Sequence, residues 1–183
     1  MFSIFKRKPD PDVEAAERIY DRIVEQARRP WFYAEAGVPD TVEGRFDMIV
    51  LHAFAFFRRL RAEGADAQPA AQRVFDAMFR DLDAALREIG VGDLSVGKKI
   101  RGLAEAFYGR SKAYDAALDG DDTAALRDAI AKNVFKNETA LGAAAIAAYV
   151  QAMDAALAKQ SSEVLTTEGP VFPEPAAADA ARA

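Results

Sequence analysis

The sequence predicts an all-α fold: a single compact multi-helix domain with disordered N- and C-terminal tails. Three observations predict it. Apolar residues recur every three or four positions, most clearly at Phe75, Met78, Phe79, Leu82, Leu86 and Ile89, the spacing that gives a helix one apolar face. The segments so marked are separated by Gly, Pro, Asp and Asn breaks such as Gly90-Val91-Gly92-Asp93, which supply helix stops and starts. No alternating apolar–polar strand pattern competes with them. The expected organisation is a flexible basic and apolar N-terminus over 1–11, a helical domain over 12–159 and a disordered Pro/Ala-rich tail over 160–183.

The first helix is predicted from Asp12 to Arg28, with Val13, Ala16, Ile19, Tyr20, Ile23 and Ala27 inward and Pro30 as its stop. Trp31-Phe32-Tyr33 begins an aromatic connection. Asp40 as N-cap with Glu43 three residues later forms a capping-box signal for the next helix. There Val42, Phe46, Ile49, Ala53, Phe56 and Leu60 make one face, and Val50, Phe54 and Phe57 widen it. A helix this apolar belongs at the centre of a core.

A helical hairpin follows, from about Ala70 to Ile89 and from about Ser95 to Leu118. On its first arm Asp76 with Arg80 and Asp83 with Arg87 stand four apart with the acid first, the favourable order. Asp93 or Ser95 is the expected cap of the second arm. That arm carries Gly97, Gly102 and Gly109, each costing roughly 1 kcal/mol against alanine inside a helix. Gly102, Ala106, Gly109 and Ala113 fall on one stripe, so close approach of a neighbouring helix is the expected compensation, and a partner surface is the alternative. A short helix through Leu126, Ile130 and Val134, capped by Asp122 or Thr123, precedes a break at Asn137 and Thr139. An alanine-rich helix then runs to about Lys159.

Composition narrows the function. The chain has 183 residues, 51% of them hydrophobic, enough for one domain with a real core. Its net charge of -5 argues against general nucleic-acid binding, which needs a basic excess. With no cysteine there is no disulfide, thiolate metal site or cysteine nucleophile. The longest apolar run, Met48 to Phe57, is about half of the roughly 20 residues a membrane-crossing helix needs. The N-terminus does not read as a signal peptide, so the protein is expected to stay in the cytoplasm. Phe2, Ile4 and Phe5 beside Lys6, Arg7 and Lys8 suit contact with an anionic membrane surface; the alternative is a frayed end.

No catalytic constellation emerges. Gly92-Asp93-Leu94-Ser95-Val96-Gly97-Lys98-Lys99 has the spacing of a phosphate-binding loop, but Lys99 stands where a magnesium-binding Ser or Thr is required. The segment also follows a helix instead of a strand, so no nucleotide is expected. His52 is the only histidine and sits amid Leu51, Phe54 and Phe56, which reads as a packed residue with one hydrogen bond. No cofactor or metal is expected. The carboxylates Asp81, Asp83, Glu88 and Asp93 read as a solvated face. Lys98, Lys99, Arg101, Arg110 and Lys112 form a modest basic cluster, either a contact for an anionic partner or one half of internal salt bridges.

The blocks GVPDTVEGRFDMIVLHAF and FRDLDAALREIGVGDLSVGKKIRGLAEAFYGR, with Arg29-Pro30 and Phe32-Tyr33 in the same relative order, resemble the ubiquinol-cytochrome c chaperone family in its shorter bacterial form. The likeness runs from about Ile19 to Val134. It implies a non-enzymatic, all-helical assembly factor. Mitochondrial members of the family help newly made cytochrome b, the haem-carrying subunit of the bc1 complex (respiratory complex III), to mature, with a partner protein and near the ribosome. The resemblance thus implies cytochrome b or another bc1 component as client. It makes Arg45, Asp81, Asp83, Arg87, Gly92, Asp93, Lys98, Lys99, Tyr108 and Arg110 candidates for a partner surface, to which Arg101 is added from the basic cluster. The other reading, from the helical faces alone, is a general interaction module that docks on lipid or protein, or pairs with itself as a homodimer, with no role in respiration.

Overall fold

The computed structural model describes residues 10–137 and 140–175. Its centre is helix α3, Val42–Ala62, in which residues from Asp47 through Phe56 are buried in an unbroken run. A helix apolar on every side must be surrounded, and α3 is. Helix α1 (Pro11–Ala27) packs Ala16, Ile19, Tyr20, Ile23 and Ala27 inward. Helices α4 (Gln68–Glu88), α5 (Asp93–Asp119) and α7 (Gly142–Leu157) complete the ring around it. Helix α7 buries Ile146 through Val150, Met153 and Leu157.

The connections carry readable local chemistry. Asp10, Thr41, Asp122 and Ser161 each accept a backbone N–H of the first turn that follows, satisfying donors that no carbonyl within the helix reaches. The cap of α3 is therefore Thr41, not Asp40. The Thr41 hydroxyl accepts from Gly44 N at 3.1 Å, while Asp40 reaches Arg45 Nε at 2.6 Å. Helix α5 begins at Gly92 without a side-chain cap; Asp93 is turned to Arg87 instead. The aromatic connection forms a short helix, α2 (Pro30–Ala34), anchored by fully buried Phe32. Helix α6 (Thr123–Ile130) runs into a π-helical turn, Ala131–Phe135, which ends at Lys136 with φ 55°.

The tail differs from expectation. Residues 160–175 are part of the fold, with helix α8 (Ser162–Thr167) burying Leu165 completely. Phe172 then stacks edge-on against His52 at 5.3 Å between ring centroids. Few apolar residues lie here, but Leu165, Pro170 and Phe172 are spaced to meet the core, and side chains of the core satisfy the backbone between them. Gln160 both donates to Val171 O at 2.7 Å and accepts from Val171 N at 2.9 Å, and Gln26 donates to Pro173 O at 3.1 Å. The membrane-contact candidates Phe2, Ile4, Phe5, Lys6, Arg7 and Lys8 lie outside the described residues.

Candidate functional site: an aromatic groove on α3, α4 and α5

Three helices bring one face each to a common groove. Helix α3 contributes Phe54, Phe57, Arg58 and Arg61, a spacing of three and four that places all four on one side. Helix α4 adds Gln68, Ala71, Gln72 and Phe75, and α5 adds Phe107, Tyr108 and Ser111. The cavity between them holds about 200 Å³. Its wall is a cluster of rings, with Phe75 5.8 Å from Phe107, 6.0 Å from Tyr108 and 6.0 Å from Phe57. Phe57 and Phe75 are only partly buried and Tyr108 is 59% exposed. Such a face, apolar and incompletely covered, is the kind of surface on which proteins dock.

Charge sits at one end of the groove. Arg58 contacts Asp115 at 2.8 Å, Asp119 at 2.8 Å and Asp154 at 3.0 Å, and Arg61 reaches both oxygens of Asp115 at 2.8 Å. These pairs fix the rim and tie α3 to α5 and α7. The Ser111 hydroxyl is buried at the groove and has no hydrogen-bond partner among the described residues.

Of the predicted partner residues, Tyr108 lies in this groove and the others are distributed elsewhere. For Arg110 the internal alternative holds. Its side chain is 16% exposed, and its Nη1 lies 2.6 Å from Asp47 Oδ1, off the line of a hydrogen bond, so it serves an internal ion pair. Lys136 completes this pair from the other side at 2.7 Å. Burial pushes the Asp47 carboxyl up from its usual range, while the Lys136 hydrogen bond and the Arg110 charge pull it back. Asp81 accepts from the Tyr20 hydroxyl at 2.9 Å and joins α4 to α1. Arg87 bridges Asp83, at 2.6 Å, and Asp93 on the outside of the hairpin. The companion pair does not form: Asp76 accepts from Gln72, and Arg80 reaches Glu17 at 3.4 Å.

Lys98, Lys99 and Arg101 are exposed and have no carboxylate within ion-pair distance among the described residues. They lie up α5 from the groove, since the seven residues from Arg101 to Tyr108 span about 10 Å of helix. Among the described residues nothing lies within 4 Å of the position a Cβ would take at Gly97, Gly102 or Gly109. Close approach of a neighbouring helix of this chain is therefore not what compensates them. Asp93 to Lys99 form the first turns of α5, so no phosphate loop exists there.

His52 is fully buried and in contact with two hydrogen-bond partners, one more than expected. Its Nδ1 donates to Met48 O at 2.8 Å, and its Nε2 accepts from the Tyr149 hydroxyl at 3.1 Å, which in turn accepts from Gln26 at 2.9 Å. This chain is satisfied only by the neutral imidazole with its proton on Nδ1. Burial pushes the His52 pKa down to about 4. Phe32, Tyr149 and Phe172 enclose the ring.

Sequence reasoning missed Phe57, Phe75, Phe107, Arg58 and Arg61 as groove residues. The signal was Phe56-Phe57-Arg58-Arg59, where arginines follow directly on an aromatic run and mark where that face reaches solvent.

A family model described as Ubiquinol-cytochrome C chaperone matches residues 34–172. The chain belongs to this family. The match takes in α3 through α8 and so the whole groove. The ubiquinol-cytochrome-c reductase complex assembly factor 1 of Xenopus laevis is 25% identical over 108 residues, covering 59% of this chain and 54% of that one. Its Homo sapiens counterpart is 26% identical over 108 residues, covering 59% and 36%. The chain thus spans about half the length of the Xenopus relative. The crystal structure of the Cbp3 homologue from Brucella abortus superposes with a TM-score of 0.83 at 37% identity, covering 94% of this chain and 96% of that chain. Among the described residues no helix is long and apolar enough to cross a membrane.

Proposed function

We propose that the chain is a non-enzymatic assembly chaperone that holds cytochrome b, or another component of the bc1 complex, in the groove of α3, α4 and α5 during biogenesis, at the inner face of the inner membrane. The observation that carries this reading is the incompletely covered cluster of Phe57, Phe75 and Tyr108 set on buried Phe107, in a chain whose family and relatives are ubiquinol-cytochrome c reductase assembly factors. An apolar segment of an immature membrane subunit needs such a surface until its own partners arrive, and large aromatic rings give the most contact per ordered side chain.

The test is the reduced-minus-oxidised haem b spectrum and inhibitor-sensitive quinol to cytochrome c activity in membranes from cells with and without the protein. Loss of both, restored by the wild-type chain, is expected. Unchanged spectra and activity would refute the assignment of bc1 as client. A finer prediction concerns Tyr108→Glu. This substitution places a charge among exposed rings and leaves the core untouched. Restoration of bc1 is expected to fail while the melting temperature stays within about 2 °C, because surface changes of this kind cost within about 0.5 kcal/mol. Full restoration by this variant would move the client away from the groove.

A further inference from the structure

A second cleft lies apart from the groove, where the end of α1 meets α2 and the start of α3. It is lined by Arg28, Pro30, Tyr33, Ala34, Asp40 and Arg45 and has a volume of about 560 Å³. Many arginines of the fold meet carboxylates, as Arg58, Arg61, Arg73, Arg80 and Arg87 do, and among those that do not, Arg28 is set apart by lining a cavity together with a second arginine. Arg28 meets none among the described residues, and Arg45 spends only its Nε on Asp40, at 2.6 Å. Two guanidinium groups thus line one cavity with their Nη donors uncommitted.

The walls are preorganised. Tyr33 commits its hydroxyl proton to Ala27 O at 2.8 Å, and both arginines and Asp40 lie within electrostatic reach of its phenol. Pro30 and the buried Phe32 hold α2 in place. The carbonyls at the end of α1 favour a cation at position 28, but they leave its fork of donors free.

We propose that this cleft is a binding site for a carboxylate side chain, Glu or Asp, presented by a partner protein. Planar guanidinium donors match carboxylate oxygens in pairs. The Tyr33 ring, Pro30 and Ala34 provide apolar cover for the methylene stem of such a side chain. The charge balance selects the class of anion: two arginines against Asp40 leave one net positive charge, which a carboxylate neutralises. A phosphate, with about −1.5 to −2 charges at neutral pH, overshoots it and meets Asp40. The inference rests on the protein-binding reading above only in placing the carboxylate on a protein, and it does not depend on what occupies the groove.

The experiment follows the arginine Nε–Hε resonances of the full chain by NMR during titration with Nα-acetylglutamic acid amide, which carries one carboxylate. Its neutral counterpart Nα-acetylglutamine amide, and inorganic phosphate, are titrated in parallel. The expected result is a saturable shift of the Arg28 and Arg45 signals with the carboxylate and none with the neutral amide. Arg28→Gln is expected to weaken binding about tenfold, as loss of a paired guanidinium contact does, with the melting temperature lowered by no more than about 4 °C, the share of a lost charge at the end of α1. Three outcomes overturn the proposal: an equal shift at the exposed Arg18, an equal response to the neutral amide, or tighter binding of phosphate. None of them touches the bc1 result, so failure here and failure of the chaperone reading are separable.

Discussion

Gly142→Ala is expected to destabilise the protein by about 3 kcal/mol, at the upper end of what overpacking a fitted interior costs. A Cβ at position 142 would lie 1.8 Å from Ala36 O and 3.0 Å from Phe135 Cζ. The obstacle is backbone, so no rotamer change relieves it; either α7 must move off its first turn or the segment after α2 must. Gly44 is in the same position against Pro39 O, at 1.9 Å, and the same substitution there is expected to act alike. For a chain of this size that loss lowers the melting temperature by roughly 10 °C. Gly102→Ala on α5 is the matching control with the opposite sign. Nothing stands within 4 Å of its Cβ position, so alanine is expected to raise stability by up to about 1 kcal/mol through helix propensity alone. Thermal or urea unfolding of the three variants decides the point. Destabilisation by Gly102→Ala would mean that the face of α5 is covered in solution, by a second copy or otherwise.

The second large effect concerns His52 and pH. In the unfolded chain an imidazole titrates near 6.5, whereas in the fold it is held neutral down to about 4. Between these values the unfolded state binds more protons, so stability falls with falling pH. The contribution is fully present above about pH 6.5 and is lost as pH drops toward 4. At pH 4.5 the loss from this one residue is roughly 2–3 kcal/mol. His52→Gln cannot titrate and should cost stability at pH 7, where it gives up the ring contacts to Phe32, Tyr149 and Phe172. The informative quantity is the difference in unfolding free energy between wild type and variant. That gap is expected to shrink by roughly 2–3 kcal/mol between pH 7 and pH 4.5. A gap that stays constant would show that His52 is not buried neutral.

The sequence was most legible where one helix carried its own period. The buried face of α1 and the near-total burial of α3 followed from spacing alone, because those residues meet the core whatever the neighbours do. The groove was not legible for the converse reason. Phe57 and Phe75 have the same spacing as core residues, and whether they are covered depends on where a neighbouring helix stops. Arg110 shows the same limit from the polar side. It reads as a surface residue until α3 places Asp47 beneath it, and no local pattern announces that contact. The C-terminal segment was hidden by composition, since proline and alanine outnumber the three residues that anchor it. Its hydrogen bonds come from Gln160 and Gln26, side chains outside the Pro-rich stretch. The basic cluster was seen, but periodicity could not tell a free cation from a paired one.

The closure of the C-terminal segment over His52 also sets a clock. Gln26 reaches across 123 positions to the Tyr149 hydroxyl and across 147 to Pro173 O. At about 5–20 residues per second during synthesis, 147 positions correspond to roughly 7–30 s. For that interval the apolar face of α1 has emerged while the segment that seals its pocket is still unmade. A protein proposed to shelter an unfinished client thus passes through an unfinished state of its own, in which Ile19, Ile23 and His52 wait for the segment around Phe172.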